Sequence, residues 1–238
     1  MGDSEPQGSA AATEGAEEPG QAYNPGAPTP PRQAASVIVL RSALPPAATV
    51  AAGAAGELAA LEVLLVRRTP RARFMGGVWV FPGGAVDAHE GASSDAQDDA
   101  HAHRLAAIRE LREEAGVELD GPAALVPFSR WITPAQVQIR FDTRFFLAEL
   151  PSGQEPRVDG EECVDLGWFA PREALERSRA GELELVFPTI KHLEQLGEFA
   201  TVAELLAYAR GRAVEPVEPR VVLEGEVARI LLPGEEGY

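Results

Sequence analysis

The chain has 238 residues, 45% of them hydrophobic, and its 37 acidic side chains against 21 basic ones leave a formal charge of −16. That length and composition suit one folded domain with tails, and the negative charge argues against a nucleic-acid-binding surface. The single cysteine, Cys163, allows no internal disulfide and fits a reducing cytoplasm, no apolar run approaches the roughly 18 residues of a membrane span, and no charged-then-apolar leader is seen.

Residues 1–33 are rich in Ala, Gly, Pro and Glu and nearly empty of large apolar side chains. Such a segment cannot offset the entropy of ordering, so a disordered tail is predicted. The folded domain is expected over 34–212, with 213–238 as a C-terminal extension. Apolar runs predict strands at 36–40, 61–66 and 78–81, the first two separated by an Ala/Pro/Gly-rich loop in which Pro45-Pro46 blocks regular structure. A helix follows, with Leu105, Ile108, Leu111 and Ala115 forming one apolar stripe. A strand is expected at 124–130. Over 137–147, Val137, Ile139, Phe141, Phe145 and Leu147 alternate with Gln138, Arg140, Asp142 and Arg144, the pattern of a half-buried strand. Another strand is expected at 163–169, then helices at 171–179, 189–196 and 202–210, the first opened by Pro171. Residues 220–232 have an extended apolar pattern that predicts a hairpin packed on the domain. Strands interleaved with helices in this order imply an α/β fold, a mixed β-sheet sandwiched between α-helices (α/β/α).

The densest chemical signal runs from Gly83 to Val117. Glu90 lies six residues after Gly84, and the segment ends Arg109-Glu110-Leu111-Arg112-Glu113-Glu114-Ala115-Gly116-Val117. At about 100° per residue, Glu110, Glu113 and Glu114 share a helix face away from the apolar stripe. Like charges about 4 Å apart cost about 4 kcal/mol each at a surface-like dielectric, a repulsion that a hard divalent cation relieves. Oxygen donors suit Mg²⁺ or Mn²⁺, ions that activate water and neutralise charge on a leaving diphosphate oxygen. Arg109, four residues before Glu113, can brace that carboxylate, and Gly116 stands where a helix end favours positive φ.

This pattern, G-x5-E followed by R-E-U-x-E-E-x-G-U with U aliphatic, resembles the box of the Nudix hydrolases, which cleave diphosphates linked to another moiety. The resemblance covers about 34–196. It implies the α/β/α Nudix fold, a Mg²⁺ or Mn²⁺ cofactor, a small-molecule diphosphate as partner and a tendency to form homodimers. It also implies that the backbone carbonyl of Gly83 helps hold the metal, that Glu113 and Glu114 are its main ligands, and that Glu110 supports them. Eighteen residues, Gly91 to Ile108, separate Glu90 from Arg109, eleven more than the family's usual seven. The excess reads as a lengthened loop, with Ser94 or Asp95 capping an earlier helix start. It leaves open whether Glu90 or Asp87 serves the site.

The substrate must come from outside the box. Arg68, Arg73, Gly77 and Phe81-Pro82-Gly83-Gly84 are spaced R-x4-R-x3-G-x3-F-P-G-G, similar to the motif of coenzyme A diphosphatases, although Val66 replaces its hydroxyl residue. The long insertion and Trp131-Ile132-Thr133-Pro134 resemble the mammalian peroxisomal acyl-CoA branch. Arg68 and Arg73 could bind the 3′-phosphate of coenzyme A, since guanidinium suits bidentate phosphate contacts. Trp131 could stack on adenine or serve as a structural Trp. Pro134 lies near the position of a proline found in members that cleave ADP-ribose, and a Ser-Gln-Pro-Trp array of NADH-cleaving members is absent.

Glu161 and Glu162 precede the expected strand at 163–169. The resemblance places Glu162 as the residue completing the metal site or accepting a proton. His89, His101 and His103 lack the spacing and cysteine partners of a zinc site and read as solvated. Cys163 has no neighbouring base motif, and no G-x-S-x-G elbow is present. The reading is a cytoplasmic metal-dependent hydrolase acting on coenzyme A or acyl-CoA, with ADP-ribose or another nucleoside diphosphate derivative as the rival substrate. A non-catalytic nucleotide sensor on the same fold is the non-enzymatic alternative.

Overall fold

The computed structural model of the protein describes residues 24, 26–43, 60–72, 75–90, 96–224 and 227–238. Arg73, the candidate caps Ser94 and Asp95, the Pro45-Pro46 loop and the first part of the expected tail lie outside the described residues.

The chain runs through β1 (Arg32–Ser42), β2 (Leu61–Arg68), β3 (Trp79–Val80), β4 (Gly83–Ala85), a 3-10 turn at Ala88–Glu90 and helix α1 (Ala96–Ala115). A second 3-10 turn, Pro122–Ala124, leads to β5 (Val126–Ile132), β6 (Phe141–Glu149) and β7 (Cys163–Phe169). Helices α2 (Pro171–Arg179), α3 (Phe187–Leu196) and α4 (Val202–Arg210) follow, then β8 (Pro216–Val217), β9 (Arg220–Glu224) and β10 (Val227–Leu231). The main sheet orders its strands β3-β2-β1-β6-β5-β8, with β4 on β1 and β7 on β2. β1 pairs parallel with β6 and antiparallel with β2 and β4, so the sheet is mixed.

Period-two alternation along these strands feeds two separate cores. On one face Ile38, Leu40, Val63, Leu65 and Phe145 pack against Ala174, Leu193, Leu196 and Leu205 of α2, α3 and α4. On the other face Val37, Val39, Leu64, Val66 and Phe146 meet Ala106, Ala107, Leu111 and Ala115 of α1. The result is helix, sheet and helix in three layers, as the element order implies. Helix α4 is capped by Thr201, whose side chain accepts from the Glu204 backbone N–H, while the Glu204 carboxylate reaches back to accept from Ala200 N–H, one residue before the cap.

Three sequence expectations need correction. Residues 26–33 do not continue a disordered tail. Thr29 donates to the Gln138 carbonyl at 2.8 Å, Arg140 donates to the Thr29 carbonyl, and Arg32 already belongs to β1. The strand expected over 137–147 starts only at Phe141. Two of its polar positions do not face water: Arg140 is tied to the Thr133 carbonyl and Glu218, and Asp142 to Arg130 at 2.6 and 2.8 Å. These bonds satisfy the buried charges. His103 is not solvated either. It is fully buried against the Asp99 carbonyl and the Gln33 side chain, and its burial lowers its pKa.

Candidate active site

The site forms where β4 crosses the C-terminal half of α1. β4 is held to β1 by the register Ser36 to Gly83 and Ala34 to Ala85, and Pro82 is fixed as its carbonyl accepts from Val37 N–H and the Ser36 hydroxyl. The Gly83 N–H donates to Glu114 Oε2 at 2.8 Å. A Cβ at Gly84 would run into the Glu110 carboxylate. Gly83 lies against the backbone of Ala35 and Ser36, and Gly84 against the Glu110 carboxylate, so neither position has room for a Cβ. At the far end of α1, Gly116 adopts φ 63°, and its N–H caps the Arg112 carbonyl.

Arg109 organises the acidic face. Its Nε donates to Glu90 at 2.8 Å, its Nη1 to Glu110 at 2.8 Å and Glu113 at 3.1 Å, and its Nη2 to the Ala85 carbonyl at 3.0 Å. Burial opposes the charge on Arg109, but the bonds from Glu90 and Glu110 outweigh it and raise its pKa. Glu90 is itself buried and accepts from Asp87 N–H at 2.7 Å, while the exposed Asp87 carboxylate stays 3.8 Å from Arg109. Of the two alternatives left by the sequence, Glu90 is the one docked on the helix.

The three box glutamates have different surroundings. Glu114 is 2% exposed, and burial pushes its pKa up to about 7 despite the Gly83 bond and Arg68, with Glu110 and Glu162 adding repulsion. Glu110 is raised by burial too, against Arg109 and with Glu113 and Glu162 adding to it. Glu113 is half-exposed and turned toward Arg109 and Arg112. Glu162 is exposed, its backbone N–H held by Asp159 at 2.8 Å. Cys163, buried beside Glu114, has its thiol pKa raised by burial and by that carboxylate, so it is inert as a nucleophile.

Among the described residues no three acidic, His or Cys side chains converge closely enough to hold an ion by themselves. Glu110 and Glu114 do converge on the Gly83-Gly84 bend, an all-oxygen pair whose protonation is favoured by burial. One or two carboxylates completed by waters and substrate phosphate is the usual setting of Mg²⁺, so the donor chemistry fits.

A cleft of about 400 Å³ opens beside the bend, with Arg32, Arg68, Gly83, Gly84 and Thr143 in its walls. Arg68 Nη1 lies 3.7 Å from Glu114 Oε1, and its buried Nε has no hydrogen-bond partner among the described residues. The sequence offered Arg68 for the 3′-phosphate of coenzyme A; the structure sets it on the cleft wall beside Glu114. Trp131 is half-buried and stands edge-on to Phe187, centroids 6.1 Å apart.

A model of the NUDIX domain matches residues 47–188, more than half of the chain. The chain belongs to the Nudix family. It is a hydrolase, and the family generally uses divalent metal ions. The human acyl-coenzyme A diphosphatase NUDT19 is 27% identical over 300 aligned positions, covering 87% of this chain and 80% of that protein. A putative nudix hydrolase 7 of Caenorhabditis elegans is 28% identical over 173 positions, covering 58% of this chain and 56% of its own length. The crystal structure of a NUDIX hydrolase from Alicyclobacillus acidocaldarius superposes with a TM-score of 0.60 and 28% identity, covering 75% of this chain and 96% of that one.

Within this Nudix domain, sequence reasoning brought Gly83, Arg109, Glu110, Glu113 and Glu114 to one place. It missed the Ala85 carbonyl as a fourth anchor of Arg109, because a backbone acceptor leaves no residue-type signal. It also missed Met75 and Thr143 as cleft walls, since neither belongs to a spaced motif. No helix among the described residues is long and apolar enough to cross a membrane.

Proposed function

We propose that this Nudix hydrolase cleaves the diphosphate of coenzyme A or an acyl-CoA, releasing 3′,5′-ADP and (acyl-)phosphopantetheine. The observation that carries the reading is the juxtaposition of the Glu110 and Glu114 pair, against the Gly83-Gly84 bend, with Arg68 on the cleft wall, whose Nε has no hydrogen-bond partner among the described residues. An acidic pair alone would repel a diphosphate, and a guanidinium alone would bind it without activating it. Likeness to a human acyl-CoA diphosphatase over most of both chains supports the choice of substrate.

Glu110 and Glu114 would hold Mg²⁺ or Mn²⁺, with the Gly83 backbone beside them and Glu113 as a further carboxylate within the same helical turn. The ion, when bound, supplies charge neutralisation at the diphosphate and lowers the pKa of water. Arg109 fixes the carboxylate of Glu110, and the Gly83 N–H fixes that of Glu114. Arg68 binds phosphate oxygens as negative charge grows on the leaving phosphate. Glu162 accepts the proton of the attacking water. Water oxygen bonds to one phosphorus, the bridging P–O bond breaks, and two phosphomonoesters leave. A reducing cytoplasm suits the buried free thiol of Cys163.

The test is a panel of coenzyme A, acyl-CoAs, ADP-ribose, NADH and nucleoside diphosphate sugars, incubated with Mg²⁺ or Mn²⁺ and resolved by mass spectrometry. Fastest turnover of a coenzyme A compound, lost in Glu114→Gln, supports the reading. Faster turnover of ADP-ribose replaces the substrate, and tight binding of one compound without turnover of any identifies a sensor.

A further inference from the structure

A second compartment, of about 310 Å³, continues from the cleft. The two share Met75, Thr133, Thr143, Phe145 and Pro188 in their walls. The cleft carries Arg32 and Arg68; the second compartment has no ionisable residue among those that line it. Its far walls are Trp131, Ile139, Phe187, Val221 and Ile230. Val221 and Ile230 are directly paired residues of the two strands of the C-terminal hairpin, β9 and β10. Ile139 and Ile230 are 38% and 40% exposed, so large apolar side chains face open space here.

We propose that this compartment receives the alkyl part of the substrate's acyl chain and that the hairpin residues Val221 and Ile230 set the preferred chain length. The inference rests on the acyl-CoA reading above and adds to it the place and the selector of the acyl group. Its size falls at the lower end of small-molecule pockets. A ligand with a diphosphate at one end and a hydrocarbon at the other matches a basic cleft joined to an apolar chamber. Adenine matches less well, because its ring nitrogens and amino group need polar partners. Among the described residues, the polar side-chain groups here are the hydroxyls of Thr133 and Thr143 and the donor-only indole N–H of Trp131, and the Thr133 hydroxyl oxygen is already engaged by Phe141 N–H at 3.0 Å.

The experiment measures binding by calorimetry in EDTA, so that nothing turns over. The ligands are coenzyme A, butanoyl-, octanoyl- and palmitoyl-CoA and 3′,5′-ADP. The proteins are the full-length wild type, Ile230→Asp and Val221→Trp; a half-exposed Ile230 makes the first compatible with folding, and circular dichroism checks both. For the wild type, each methylene buried is worth about fourfold in affinity until the chamber is full. Both variants should flatten that dependence and weaken octanoyl-CoA by at least about tenfold, with coenzyme A and 3′,5′-ADP within about twofold of wild type. Affinity independent of chain length in the wild type, or a chain-length dependence that survives both variants, overturns the proposal while leaving the coenzyme A reading intact. A loss of 3′,5′-ADP binding equal to the loss of octanoyl-CoA places adenine in the chamber and overturns it too. No binding of coenzyme A in EDTA, together with no turnover of it in the Mg²⁺ panel above, removes the substrate reading and the proposal together.

Discussion

Arg109 Nε donates to Glu90 Oε1 at 2.8 Å although the two residues are nineteen positions apart and the chain between them carries the long insertion. Arg109 bonds four acceptors at once, so its loss would strand a buried Glu90 and release Glu110. Arg109→Ala should destabilise the protein by about 3 kcal/mol, the cost of an uncompensated buried charge. Arg109→Lys, which keeps the charge but not the fork, should fold and lose about 10- to 100-fold in kcat, the usual cost of disturbing a ligand's support. Thermal denaturation and steady-state rates check the two; an unaltered kcat in Arg109→Lys would mean that Glu110 needs no bracing.

Glu114 is held in a place that favours its neutral form. A carboxyl raised to about 7 from an ordinary 4.5 contributes stability that is complete below pH 4.5 and is lost as pH rises through 7. At pH 8 in EDTA, Glu114→Gln should therefore be more stable than the wild type, by up to about 3 kcal/mol, while its hydrolysis of any diphosphate is abolished. Chemical denaturation at pH 8 reads this. A less stable Gln variant would show that the Gly83 and Arg68 contacts outweigh burial.

A cation bound at Glu114 must displace that proton below pH 7. Mn²⁺ affinity should climb by up to about tenfold per pH unit between 5 and 7 and flatten above it. Calorimetry in two buffers of different ionisation enthalpy would detect the released proton. Affinity that is flat across the range would place the ion away from Glu114.

Gly84 has no room for a side chain, because a Cβ would meet the Glu110 carboxylate. Gly84→Ala should keep the fold and lower kcat by about 100-fold, the scale of a misplacement of about 1 Å at a reacting centre. A wild-type rate in this variant would exclude Glu110 from the chemistry.

His192 is fully buried against Ser129, Phe145 and Trp131, and burial lowers its pKa to about 3. Between pH 3 and its ordinary 6.5 the unfolded chain binds the extra proton. Stability should accordingly fall as pH drops below 6.5, by up to about 1.4 kcal/mol per unit. The Glu114 carboxyl acts in the opposite sense over part of that window, so the comparison is Glu114→Gln with and without His192→Gln. The double variant should show the shallower acid slope in urea titrations.

The glycine bend and box helix were legible because their chemistry depends on spacings of three and four along one helix, which a sequence displays directly. The three-layer arrangement was legible for the same kind of reason: paired apolar runs of period two and 3.6. Strand β6 was misread at its start because Arg140 and Asp142 look like solvent-facing positions, and only partners more than ten residues away, such as Glu218 and Arg130, make their burial tolerable. The docking of Glu90 was undecidable from spacing once the insertion broke the motif. His103 was misjudged because its partner Gln33 is seventy residues upstream. Arg68 was singled out by its motif, but its placement on the cleft wall beside Glu114 depends on the pairing of β2 with β7 and on the approach of α1, which no local pattern contains.

The pairing of β1 with β6 joins Leu40 to Glu149 in the middle of the sheet. During translation, one edge of β1 waits for a partner that emerges roughly a hundred residues later, about 5–20 s at typical elongation rates. Such distant pairing also slows spontaneous folding, since loop closure must precede any reward. The nascent chain thus carries an exposed apolar ribbon while that intervening stretch is made, and a chaperone that shields it would raise yield without touching the finished enzyme.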